Sequence, residues 1–118
     1  MKKIFFDENV PRILVWLLPQ RDIQTVVTMR WGEIKNDVLL QLIEQHRFNV
    51  FLTGDKNMPY QQPLAGRAFA VLILSAINWP VIRPHVDKIA AAIAAAEPGT
   101  VRMIECGVFL PRSKSESD

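Results

Sequence analysis

Ile4-Phe5-Phe6-Asp7-Glu8-Asn9 and Val50-Phe51-Leu52-Thr53-Gly54-Asp55-Lys56-Asn57 are the two stretches on which the fold turns. In each, a short run of large apolar residues ends in a carboxylate. A run that is apolar on both faces reads as a central strand of a parallel sheet, covered on both sides. In open α/β sheets ligands collect outside the carboxyl ends of the strands, where the strand order reverses. If these two strands are neighbours, Asp7 and Asp55 face each other across that crevice, and two like charges held close call for a cation between them. Placing them side by side is an assumption borrowed from common doubly wound topologies.

Working outward, the 118 residues suffice for one domain with a modest core. Hydrophobic residues make up 49%, as expected of a folded chain rather than a disordered one. The net charge of +2 permits a polyanionic partner without demanding one. Cys106 is the only cysteine, which excludes an intramolecular disulfide and a thiolate zinc cage. The first residues are strand-like rather than a signal core, and the apolar runs are too short to cross a membrane. Cytoplasmic localisation, with no membrane partner, is the expectation.

Strands and helices alternate along the chain. Residues 3–6 are the first strand. Asn9 is placed to cap a helix that has Pro11 in its first turn, runs to about Leu18 and is closed by Pro19. Residues 22–27, rich in β-branched side chains, read as a second strand, followed by a loop with Arg30, Trp31 and Gly32. Asn36 can cap a helix over 37–45, where Leu39, Leu42 and Ile43 recur at helical spacing. Residues 49–53 form the third strand, and Asn57 and Pro59 open a short turn or single helical turn. Residues 68–74 form a fourth, wholly apolar strand, and Asn78-Trp79-Pro80 a loop. An alanine-rich helix starts at Ile82 or Pro84 and ends near Glu97; residues 101–105 make a more polar fifth strand, expected at an edge. The pattern predicts a single domain over 1–110, a three-layer α/β/α sandwich on a mainly parallel, Rossmann-like five-stranded sheet. Residues 111–118 are expected to be a disordered tail.

The chemistry rests first on Asp7 and Asp55. Each has a bland alternative: Asp7 as the charge favoured at a helix start, Asp55 as ordinary Thr-Gly-Asp turn chemistry. Two acids at equivalent strand ends favour a joint role. Hard oxygen ligands with water in the remaining positions suit Mg²⁺ or Mn²⁺, which can polarise a phosphoryl oxygen and activate water for in-line attack. Glu8 is either solvated or water-orienting. Asp37 is either a helix-dipole charge or a third carboxylate closing the site. Arg12, Arg30, Lys56 and Arg67 are the candidates for steering phosphates, and Trp31 and Tyr60, both read as loop residues, for stacking on a base. Neither His46 nor His85 has a partner at zinc-motif spacing.

The order Asp7-Glu8-Asn9 after the first strand, Thr53-Gly54-Asp55 after a later one, and Lys56-Asn57-Met58-Pro59-Tyr60-Gln61-Gln62 following it resemble the PIN-like nuclease superfamily. The nearest likeness is to a short, mostly bacterial branch of uncharacterised PIN-like proteins. It extends over roughly residues 3–105, with Trp31-Gly32, Lys35-Asn36, Leu64-Ala65-Gly66-Arg67 and Asn78-Trp79-Pro80. The resemblance implies an endoribonuclease that holds one or two divalent ions among acidic residues and cuts single-stranded RNA. It further implies a toxin neutralised by a small antitoxin protein. Asp7 then stands for the first-strand acid, Asp55 for the later-strand acid and Asp37 for an acid from a helix. The chain departs from the pattern at Asn57, where many relatives carry another acid; Asn57 still offers its carbonyl oxygen to the metal, with one negative charge fewer.

Two other readings compete. A receiver-like phosphoacceptor also places acids after its first and third strands. It needs a lysine at the end of the fifth, where this chain has Ile104-Glu105-Cys106-Gly107. A catalytically degenerate protein-binding module would keep the fold without the chemistry. Ala90-Ala91-Ala92 and Ala94-Ala95-Ala96 would then offer a small-residue face to a partner or a homodimer, rather than packing on their own sheet.

Overall fold

The structure, a computed structural model, describes residues 2–107. Five strands are present among them: β1 (Ile4–Phe6), β2 (Ile23–Thr25), β3 (Val50–Thr53), β4 (Ala70–Leu74) and β5 (Val101–Ile104). They lie in the order β2-β1-β3-β4-β5. Every pairing is parallel, so the sheet is wholly rather than mainly so. The central strands β1, β3 and β4 are buried along their whole length, which is why their sequences carry no polar alternation. β1 pairs with β3 in the register Ile4↔Val50, Phe5↔Phe51 and Phe6↔Leu52. The two acid-bearing strands are therefore neighbours. Strand order reverses between them, because β2 lies on one side of β1 while β3, β4 and β5 continue on the other.

The pleat sends alternate residues to opposite faces, each covered by helices, and a three-layer sandwich results. On one face Ile4, Phe6, Leu52 and Leu72 pack beneath α1 (Leu14–Leu17), α5 (Trp79–Ile82) and α6 (Val86–Ala95). On the other, Phe5, Phe51 and Val71 pack beneath α3 (Asn36–Gln45) and α4 (Met58–Gln61). α6 lays Ile89, Ala92 and Ile93 onto its own sheet, while Ala91, Ala94 and Ala95 stay exposed. Lys2 holds the far end of α6, its Nζ donating to the carbonyls of Ile93, Ala94 and Ala96 at 3.0, 2.7 and 2.8 Å.

Several boundaries differ from expectation for local reasons. The helix expected from Pro11 shrinks to α1, preceded by i→i+3 turns such as Leu14 N to Pro11 O. Asn9 does not cap it. The second strand stops at Thr25, because Thr25 and Thr28 form a reciprocal capping box that starts α2 (Val26–Met29). Val26 and Val27, β-branched and read as strand, are thus helical. Asn36 is the first residue of α3 rather than its cap. The expected loop at Trp79-Pro80 is the start of α5, with proline in the first turn, where its missing N–H costs nothing. A 3₁₀ turn, Arg83–His85, then links α5 to α6. β5 is the edge strand anticipated from its polarity, with Val101, Arg102 and Met103 exposed. The expected tail, and residues 108–110 of the expected domain, lie outside the described residues.

Candidate acidic site at the strand-order reversal

The backbone continues the sheet one step beyond β1, with Asp7 N donating to Leu52 O at 2.9 Å. The carboxylate therefore emerges at the top of the sheet, beside the end of β3. Both of its oxygens are engaged: Oδ1 accepts from Glu8 N at 2.8 Å and Oδ2 from the hydroxyl of Thr53 at 2.7 Å. Thr53 Oγ1 in turn accepts from Asp55 N at 3.1 Å. One buried hydroxyl thus joins the two acidic loops. Asp55 is held by its own turn, Oδ1 accepting from Asn57 N at 3.0 Å. Asn9, rather than capping a helix, accepts from Gly54 N through Oδ1 at 2.9 Å and forms a second tie between the loops. Gly54 is wedged there: a Cβ would run into Ile77 Cγ2 and lie 3.4 Å from Asn9 Oδ1.

Asp7 is the one carboxylate of the site taken largely out of water, and this pushes its carboxyl above its ordinary value. Burial is the chief cause. The Thr53 hydroxyl and the Glu8 N–H oppose it by favouring the charged form, while the negative charge of Asp55 adds to it. Each Asp7 oxygen accepts one hydrogen bond and keeps further lone-pair capacity. Asp7 and Asp55, with the exposed amide of Asn57 two residues on, offer oxygen donors of the kind Mg²⁺ and Mn²⁺ accept. Such ions commonly use one or two protein carboxylates and complete their shell with water and phosphate. The residues present fit that group.

A pocket of about 200 Å³ opens on the β2 side of Asp7, lined by Glu8, Val10, Arg12, Thr25 and Val27 among others. Glu8 and Arg12 therefore line the same pocket as Asp7, and both are exposed. Lys56 is exposed next to Asp55. The remaining expected residues are not brought in. Asp37 sits exposed in the first turn of α3, and no three His, Cys, Asp or Glu side chains among the described residues gather as a metal-holding group. Arg30 closes α2 in the left-handed conformation, φ 58°, and does not line the Asp7 pocket. Arg67 precedes β4, at the opposite end of a parallel sheet from Asp7, and its Nε donates to Pro63 O at 2.9 Å. Trp31 packs inward against Phe5, His46 and Phe48, with centroid separations of 5.1, 4.9 and 6.1 Å. Its ring is partly buried in these contacts. Tyr60 is bare, at 88% exposed, though on α4 rather than in a loop.

Three residues that matter here were not singled out as site residues. Thr53 had a signal, being the one hydroxyl at the end of an otherwise apolar buried run. Asn9 had none, since its partner is 45 residues away. Trp16, 83% exposed on α1, reads in sequence as one more apolar residue of Leu14-Val15-Trp16-Leu17-Leu18. Among the described residues no helix is long and apolar enough to cross a membrane. Compared with protein-family models, curated proteins and solved structures, the chain matches none.

Proposed function

We propose that this protein is a divalent-metal-dependent endoribonuclease that cleaves single-stranded RNA, the toxin partner of a small antitoxin protein. One observation carries the reading. Asp7 and Asp55 stand at the C-terminal ends of adjacent parallel strands, at the reversal of strand order, joined through the Thr53 hydroxyl. Asp7 and Asp55, with the Asn57 carbonyl oxygen, would hold Mg²⁺ or Mn²⁺. Bound there, the ion would supply Lewis acidity at a phosphoryl oxygen and a more acidic water. The chain's own residues supply the rest. Glu8, exposed at the mouth of the Asp7 pocket, takes a proton from the attacking water. Arg12 and Lys56, flanking the two acids, neutralise the scissile phosphate. Thr53 and Asn9 keep the carboxylates in place.

The test is cleavage of a labelled single-stranded RNA in Mn²⁺ by the wild type, Asp7→Asn and Asp55→Asn, with circular dichroism to verify the fold. Loss of cutting in both folded variants supports the reading; full cutting by both refutes it. A second reading, a catalytically silent protein-binding module, is favoured by one feature: among the described residues no three His, Cys, Asp or Glu side chains gather as a metal-holding group. Absence of Mn²⁺ binding by calorimetry, together with absence of cleavage by the wild type, would select it.

A further inference from the structure

A second depression adjoins the Asp7 pocket. It has a volume of about 440 Å³ and runs between α1 and the edge formed by β2 and α2. The two share Arg12, Thr25 and Val27, so they adjoin, with Arg12 at the junction. Beyond the junction the walls are apolar: Ile13, Trp16, Ile23 and Val27. α1 turns Leu14 into the core and leaves Trp16 at 83% and Ile13 at 45% exposed, and Val27 opposite is 62% exposed. An indole this bare, set among other exposed apolar side chains, is unusual where a helix could have turned it inward.

We propose that this groove is a nucleobase subsite, in which the base attached to the phosphate beside Arg12 stacks on the indole of Trp16. This rests on the nuclease reading and assigns the part of the RNA next to the cut. A nucleotide presents an anion and, one sugar away, an aromatic face. The groove presents a guanidinium beside the acidic pocket and, adjoining it, an apolar wall carrying an indole. That order of charge and apolar surface is what separates this occupant from a protein segment. The groove also has little with which to read a base edge. The hydroxyls of Thr25 and Thr28 are bound to each other's backbone, Thr28 Oγ1 accepting from Thr25 N at 2.7 Å and Thr25 Oγ1 accepting from Thr28 N at 3.2 Å. Stacking without edge recognition is tolerant of sequence, so this subsite holds any base.

The experiment measures binding of 5′-fluorescein decauridylate, decaadenylate and an abasic ribose-phosphate decamer by fluorescence anisotropy. Ca²⁺ replaces Mg²⁺, and electrophoresis verifies that the oligomers stay intact. Trp16→Ala is expected to weaken both base-bearing oligomers about five- to 150-fold. Trp16→Phe retains binding within about threefold, and the abasic decamer binds wild type and Trp16→Ala alike. Because Trp16 is exposed, both variants are expected to fold. Unchanged affinity in Trp16→Ala overturns the subsite, as does failure of wild type to prefer bases over the abasic decamer. A wild-type dimer by light scattering that Trp16→Ala dissolves also overturns it, assigning the patch to a second copy. The nuclease reading fails separately, through undiminished cleavage by Asp7→Asn and Asp55→Asn.

Discussion

Replacing Thr53 by valine deletes a single hydroxyl from a side chain with no solvent exposure while keeping its branched shape. Two hydrogen bonds go with it: the donation to Asp7 Oδ2 and the acceptance from Asp55 N. A hydrogen bond to a charged group contributes about 1.5–3 kcal/mol, and a neutral one about 0.5–1.5. Asp55 is only half-buried, so water can recover part of the second. The expected cost at neutral pH is about 2–3 kcal/mol, read as a lower urea midpoint at unchanged slope. The pH dependence has a definite sign. The folded carboxyl of Asp7 titrates above its ordinary value of 3.8. Its contribution to stability is therefore complete below 3.8 and is lost as pH rises through the folded value. Thr53 limits that loss by favouring the ionised form, so in Thr53→Val the folded value rises further and the loss at neutral pH deepens. The cost of the substitution should shrink to about 1 kcal/mol once the pH falls below the folded titration of Asp7. In an Asp7→Asn background it should be about 1 kcal/mol at neutral pH, leaving a coupling of about 1–2 kcal/mol in the double-mutant cycle. Equal costs in the two backgrounds would refute the bridging role assigned to Thr53.

Asp7→Asn alone should raise the thermal midpoint at neutral pH, because it removes a carboxylate held charged against its burial, and the gain should vanish as pH approaches 3.8; a destabilised variant at neutral pH would contradict this. Lys2→Met should cost about 1–2 kcal/mol and speed amide exchange in the last turn of α6, since three carbonyls lose their shared cationic donor. Gly54→Ala should cost about 1–3 kcal/mol by forcing a methyl against Ile77 and Asn9. Adding Ile77→Ala should return part of that stability, and an additive double variant in denaturant titrations would exclude the clash as the cause.

What could be read from the residues was local. The uninterrupted burial of Ile4-Phe5-Phe6 and Val50-Phe51-Leu52 follows from side chains apolar on both faces, and the carboxylates mark where those runs meet water. Asp7 and Asp55 were legible for that reason, and the α/β class followed from the alternation of such runs with helical spacing. The helix starts were less legible. Val26-Val27 has strand-like chemistry, yet a hydroxyl pair at Thr25 and Thr28 outweighs it. Asn9 reads as a cap because capping is what an asparagine before Pro11 ordinarily does nearby.

The sequence by itself determined the parallel sheet, its covered faces and the acids at two strand ends, since side-chain hydrophobicity and period act over a few residues. Tertiary structure decided which strands are neighbours, and so whether those acids meet. It also seated Thr53 between them, turned Asn9 to Gly54, sent Arg67 to the far end of the sheet, packed Trp31 against Phe5 and bared Trp16. These outcomes depend on pairings between residues tens of positions apart, chosen by how whole faces pack, and no local preference encodes them.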